Sequence, residues 1–185
     1  MLIDYRLATL DDITELDALI PLSARTLQLG YYSEEQIEGA IGTVFGVDSQ
    51  LIKDGTYFVA FTRDRIVGCG GWSKRKTLYG GDRLKKAEDS LRDPSIEPAM
   101  IRAFFVHPAY ARRGIGRKLM ELSEDAARSA GFARIEIVAT LPGEPLYRVF
   151  GYDVVETFTL SLINGASMPV VRMRKRGCAA PDAEQ

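Results

Sequence analysis

The stretch VHPAYARRGIGRKLMELSEDAARSAG, Val106 to Gly131, decides how the chain reads. Ile115, Leu119, Leu122, Ala126 and Ala130 recur at spacings of four, three, four and four, which predicts a helix with one apolar stripe. Gly131 supplies its C-terminal stop. The other end breaks the usual rules. No Ser, Thr, Asp or Asn stands in ARRGIG to cap the first N–H groups. Arg112, Arg113, Arg117 and Lys118 crowd an end that already carries about half a positive charge from the aligned peptide dipoles. Uncapped N–H groups, two glycines that admit a ligand and surplus cations suit a polyanion, most simply a phosphate or pyrophosphate. A solvated basic turn, its glycines serving chain geometry alone, is the competing reading. The loop matches neither G-x-x-x-x-G-K-[ST] nor G-x-G-x-x-G, since Leu119 takes the third glycine place.

Around this helix, AMIRAFFV (Ala99 to Val106) is an apolar strand ended by His107-Pro108, and ARIEIVA (133–139) is the next strand. A strand–helix–strand unit makes those two strands parallel neighbours. Upstream, TYFVAFT (56–62) and RIVGCGGW (65–72) form an antiparallel hairpin, in which Gly68, Gly70 and Gly71 imply a close approach to the backbone. Residues 2–8 alternate apolar and polar, as a half-buried strand does. Thr9 with Asp12 opens a helix over residues 10–20, and Ser33 with Gln36 opens a second one reaching Ile41. Downstream, LPGEPLYRVFGY is a turn and short helix, and strands 154–163 and 168–174 flank the hairpin dipeptide Asn164-Gly165. The order is β-α-α-β-β-β-α-β-α-β-β, in one domain over residues 1–176. Residues 73–98 read as a polar, partly ordered insertion, and 177–185 as a disordered tail.

Net charge is −1, so no global field draws nucleic acid or an anionic membrane. Cys69 and Cys178 give neither a disulfide framework nor metal-ligand spacing. No apolar signal core or spanning segment is present, and the expected location is cytoplasmic. No metal is expected.

The run from Ala99 to Tyr152 resembles the GNAT superfamily of acyl-CoA-dependent N-acetyltransferases. Its [Q/R]-x-x-G-x-[G/A] motif corresponds to Ala111-Arg112-Arg113-Gly114-Ile115-Gly116, after Val106-His107-Pro108, with Ala111 departing from the family's Gln or Arg. Its Y-x-x-x-G-[F/Y] signature corresponds to Tyr147-Arg148-Val149-Phe150-Gly151-Tyr152. The resemblance implies an α+β fold: a twisted, mostly antiparallel sheet of about seven strands flanked by helices, with a V-shaped splay between the central parallel strands. It implies acetyl-CoA as cosubstrate and direct transfer to an amine in a ternary complex. Arg112, Arg113, Gly114, Ile115, Gly116, Arg117 and Lys118 would hold the pyrophosphate. A backbone N–H near Phe105 or Val106 would face the thioester oxygen, and Tyr147 would protonate the departing thiolate. A non-catalytic acyl-CoA-binding domain and a nucleic-acid-binding module are the rival readings.

The base is not visible in the sequence. Glu136, Glu144 and Asp82 are candidates, each read first as a solvated carboxylate, and His107 and Cys69 read as a turn residue and a buried small group. Trp72 and Tyr79 flank the KRK at 74–76, which reads as a solvated loop ahead of an acceptor-site wall or, with Lys85 and Lys86, a nucleic-acid contact. Acceptor choice is expected in residues 22–46 and 73–98, with Gly30-Tyr31-Tyr32 and Tyr79-Gly80-Gly81-Asp82 near the pocket. The acceptor is a small-molecule or peptide amine, and strand 168–174 is a candidate edge for a homodimer.

Overall fold

The computed structural model describes residues 2–84 and 89–176. Alternation near the N-terminus produces β1 (Asp4–Leu7), which pairs antiparallel with β2 (Tyr57–Phe61). After a 3-10 turn at Leu10–Asp12, α1 (Ile13–Leu27) runs seven residues past the expected stop, straight through Pro21. Leu16, Leu19, Ile20, Ser23 and Ala24 keep one face of α1 buried, and that burial outweighs the helical hydrogen bond that proline cannot make. The Ser33–Gln36 capping box opens α2 (Glu34–Ala40) as expected. A helix of five residues, α3 (Ser49–Lys53), is too short for periodicity to reveal; Asp48 caps it by accepting from Gln50 and Leu51 N–H.

The buried strand β3 (Ile66–Ser73) pairs antiparallel with both β2 and β4 (Ala99–Val106). Its glycines sit where neighbours press on the backbone. A methyl at Gly71 would stand 2.2 Å from Thr56 O, at Gly70 2.8 Å from the Phe104 ring and at Gly68 2.6 Å from Ile115 Cγ2. The decisive helix is α4 (Ile115–Ser129), followed by β5 (Ile135–Ala139). Its C-terminus closes as expected around Gly131 (φ +91°), with Phe132 N–H reaching Ala127 O and Gly131 N–H reaching Arg128 O. The buried stripe differs from the apolar one: it is Ile115, Leu119, Met120, Ser123, Glu124 and Ala127, while Ala130 is exposed. Glu124 can be buried because Tyr152 Oη (3.0 Å), Arg128 (3.1 Å) and Lys175 surround it; Arg128 is its i+4 neighbour in α4, while Tyr152 and Lys175 come from the distant hairpin.

The short α5 (Glu144–Val149) leads into the hairpin of β6 (Tyr152–Ser161) and β7 (Ser167–Lys175). The sheet runs β1-β2-β3-β4-β5-β7-β6, antiparallel except for β4 and β5. β7 therefore lies inside the sheet, hydrogen-bonded to β5 and β6, and the 168–174 segment is not an edge; β1 and β6 are. One core packs α1, α2 and α3 on one face of the sheet, and a second buries the Trp72, Met120, Phe132 and Tyr147 side chains on the other.

The parallel pair is short. β4 and β5 match only at Ala99↔Ile135, Met100↔Glu136 and Ile101↔Ile137, after which β5 stays with β7 and β4 with β3. This is the expected splay, and the seven-stranded, mostly antiparallel arrangement is the expected fold. The described part of the 73–98 insertion is more firmly tied than expected. Arg75 forks onto Asp54 (2.7 and 2.8 Å), and Lys76 N–H reaches Ser90 O. Lys85, Lys86, Cys178 and the expected disordered tail lie outside the described residues. Among the described residues, no helix is long and apolar enough to cross a membrane.

Gly71→Ala puts a methyl against backbone on the neighbouring strand and should destabilise the fold by about 1–3 kcal/mol or more. At Gly116 a methyl meets only Leu146 Cδ2 at 3.4 Å, and alanine there should change stability little. Urea unfolding of both variants checks this, and equal midpoints would contradict it.

Candidate active site

Where β4 leaves β5, a gap opens through the sheet. Phe105, Phe45, Leu160 and Val170 line it toward α1 and α2, and Ile137 and Tyr147 toward the other face. The Phe45 and Phe105 rings meet edge to face at 5.8 Å. Divergence is built into β4. Ala103 is in the left-handed region (φ +58°), at the point where the β3–β4 register shifts between Cys69 and Gly71. Tyr57 Oη donates to Ala103 O (2.9 Å) and pins that kink.

Hydrogen-bond direction alternates along the strand beyond the kink. His107 N–H reaches Val67 O in β3, so Phe105 N–H also faces β3, and that of Val106 faces away from β3 on the gap side. Val106 N–H is received there by Ser23 Oγ of α1 (3.2 Å). Of the two expected donors, Val106 thus has the gap-side N–H, and Phe105 contributes a wall.

The cationic loop lies at the end of β4. Arg112 (φ +62°) and Gly114 (φ +83°) are both left-handed, and α4 begins at Gly114 without a side-chain cap. Left-handed residues close together turn successive N–H groups toward a common concavity, an arrangement that receives anions. Ile115 is buried beneath the loop and anchors it, while Arg112, Arg113, Gly114, Arg117 and Lys118 are exposed. The Arg113 guanidinium lies over the Tyr110 ring (5.3 Å) and that of Arg117 over Phe150 (5.7 Å), contacts that orient cations without neutralising them. Lys118 has Glu121 at 3.5 Å on the solvent side. These residues fit a pyrophosphate.

Tyr147, on α5, is buried at the gap with its ring 6.1 Å from that of Tyr152. Burial pushes its phenol well above the ordinary tyrosine value. The expected bases are occupied elsewhere. Arg172 and Arg174 both bind buried Glu136 (2.7 Å each), Arg148 binds Glu144 (2.6 Å), and Asp82 accepts from Ser49 N–H (3.0 Å). His107 Nδ1 accepts from Ala109 N–H (3.2 Å), a turn role. Cys69 is buried, and burial pushes its thiol up to about 12, so it is no nucleophile.

Trp72 packs on Phe132 in the core (5.7 Å) and is no acceptor wall. Tyr79 and Gly80 do line the gap. Tyr32 is buried, its hydroxyl bridging Leu141 N–H and Pro169 O, while Tyr31 is exposed. Sequence reasoning missed Gln28 and Arg102, which both line the gap. Arg102 carried a signal, as the lone charge in the apolar run AMIRAFFV; it pairs with buried Asp48 at 3.1 Å. Gln28 carried none.

The model of the acetyltransferase (GNAT) family matches residues 23–152. Similar solved structures include a GCN5-related N-acetyltransferase from Rhodopseudomonas palustris (TM-score 0.68, 22% identity, covering 95% of this chain and 98% of that one). They include also the PaiA N-acetyltransferase from Thermoplasma acidophilum in complex with coenzyme A (0.63, 16%, 95% and 99%). A GNAT family acetyltransferase from Brucella melitensis in complex with acetyl-CoA is a third (0.56, 18%, 99% and 94%). No curated protein matches the sequence significantly. The family model spans most of the chain, and the chain belongs to the GNAT family of acetyltransferases.

Burial raises the proton affinity of Tyr32, Tyr57, Tyr147, Tyr152 and Cys69. Above about pH 9 the unfolded chain sheds protons that the native state keeps, so stability falls as pH rises. The urea midpoint should drop steadily from about pH 9 to 11. A flat midpoint would show that these groups titrate normally.

Proposed function

We propose that this GNAT-family chain transfers the acetyl group of acetyl-CoA to an amine, in a ternary complex assembled across the β4–β5 gap. The observation that carries this is the uncapped, cation-rich start of α4, one 3-10 turn beyond the end of β4, the strand that lines the gap through the sheet. Arg112, Arg113, Arg117 and Lys118 with the N–H groups around Gly114 and Gly116 hold the pyrophosphate. The relatives bound to coenzyme A and acetyl-CoA support this assignment.

Acetyl-CoA supplies an acyl thioester, open to attack by a free amine. The Val106 N–H, on exchanging Ser23 Oγ for the thioester oxygen, donates to it; one such donor to a developing oxyanion is worth roughly 3 kcal/mol. Tyr147, held neutral by burial, delivers a proton to the departing sulfur. Phe45, Phe105 and Leu160 exclude water from the reacting centre. Among the described residues lining the gap there is no Asp, Glu or His. The amine therefore arrives as the free base and releases its proton to solvent.

Calorimetry should show micromolar binding of acetyl-CoA, abolished by Gly114→Glu, which brings a carboxylate and a strained left-handed side chain to the cradle. No binding at millimolar acetyl-CoA would remove the proposal. Tyr147→Phe should lower kcat about 100-fold while leaving acetyl-CoA affinity within about twofold. An unchanged kcat would make Tyr147 a packing residue. The rate at subsaturating amine should rise with pH toward the amine's own pKa, without an ionisation in the carboxylate range; an acidic limb near pH 5 would point to an enzyme base.

A further inference from the structure

One polar atom beside the gap is left unanswered by the fold. Gln28 closes α1 as its C-cap and is only 7% exposed, yet its Oε1 has no hydrogen-bond partner among the described residues. Folded chains leave few buried acceptors in this state. The Gln28 side chain lines the same gap as Tyr147 and Phe105. It belongs to the face of the sheet covered by α1 and α2, opposite the Tyr147 face.

Beside Tyr79, Thr140 and Arg102, the gap that Gln28 lines has apolar walls. Val44, Phe45, Phe105 and Leu160 supply the walls. Arg102 is the only charged residue among the described residues lining the gap, and its guanidinium is engaged with Asp48 (3.1 Å), Thr77 O (3.3 Å) and Gly80 O. Among the described residues lining the gap, no carboxylate stands ready to receive a second ammonium group. A polycation would bring a further desolvated positive charge beside Arg102, whose partner Asp48 is already engaged.

Building on the acetyl-transfer reading above, we propose that Gln28 Oε1 receives an N–H of the acceptor, and that the acceptor is a primary monoamine with an apolar carbon skeleton. A neutral primary amine has two N–H donors and one lone pair. One N–H satisfies Gln28 and the lone pair remains for the acyl carbon. The C–N bond forms from that lone pair, and the C–S bond breaks with its electrons going to sulfur. Sulfur takes the Tyr147 proton, the new ammonium loses one proton to solvent, and Tyr147 recovers one from solvent, so the balance closes. Nitrogen gains positive charge as it attacks, so the bond to Gln28 Oε1 strengthens on the way to the transition state.

The test compares phenethylamine and spermidine as acceptors in steady-state assays of coenzyme A release, for the wild type, Gln28→Leu and Gln28→Glu. Acetyl-CoA affinity is measured in parallel by calorimetry. The wild type should favour phenethylamine over spermidine by at least about tenfold in kcat/KM. Gln28→Leu, close in size but without the oxygen, should lower kcat/KM for phenethylamine about tenfold and leave acetyl-CoA affinity within about twofold, as the loss of one hydrogen bond to a charging nitrogen requires. Gln28→Glu restores an acceptor atom with a charge and should shift preference toward spermidine. Three results would overturn the inference: a wild-type preference for spermidine, no acetylation of phenethylamine by a protein that binds acetyl-CoA, or unchanged kinetics in Gln28→Leu. Failure to bind acetyl-CoA at all would overturn the underlying acetyl-transfer reading instead.

Discussion

The structure depends on the parting of β4 from β5 after three matched pairs. Breaking a ladder in the middle of a sheet exposes backbone N–H and C=O groups that a core does not tolerate without partners. The fold supplies substitutes from outside the sheet. Tyr57 Oη takes the Ala103 carbonyl, and Ser23 Oγ takes the Val106 N–H. The left-handed Ala103 and the shift of register opposite Gly70 turn the strand outward. The missing side chains at Gly68, Gly70 and Gly71 let Ile115, Phe104 and the β2 backbone close against β3. The glycine-rich strand is thus a bearing surface that allows its neighbour to bend away.

The same bend sets the position of the cations. β4 ends at Val106, and the chain needs only the 3-10 turn at Pro108–Tyr110 and the left-handed residues Arg112 and Gly114 before α4 begins. The open end of the gap and the uncapped N-terminus of α4 are therefore neighbours along one short piece of chain. Repulsion between a helix N-terminus and four nearby cations is unfavourable on its own, and an anion held there offsets it.

Much of this was legible in the sequence because its signals are local. The capping box at Ser33, the Asn164-Gly165 hairpin, the Gly131 stop and the loop at Gly114 each depend on a few adjacent residues. The features that escaped depend on distant partners. Glu124 is buried because Tyr152 and Lys175 come from the far hairpin, and Glu136 because Arg172 and Arg174 lie on the neighbouring strand. A carboxylate in a strand looks the same whether two arginines or solvent will meet it. Likewise 168–174 reads as an edge strand until the crossing of the last hairpin puts β7 against β5. Gln28 lies beyond the first helix as the sequence predicts it, and only the assembled gap leaves its Oε1 without a partner among the described residues.

The most direct measurement of the central claim is an amide NMR titration with acetyl-CoA. The account predicts large shifts for the N–H groups of Gly114, Ile115 and Gly116 at the start of α4, together with that of Val106 along the gap, as one ligand engages both. Shifts confined to exposed arginines, with those four amides unmoved, would contradict it and leave the start of α4 as a basic turn.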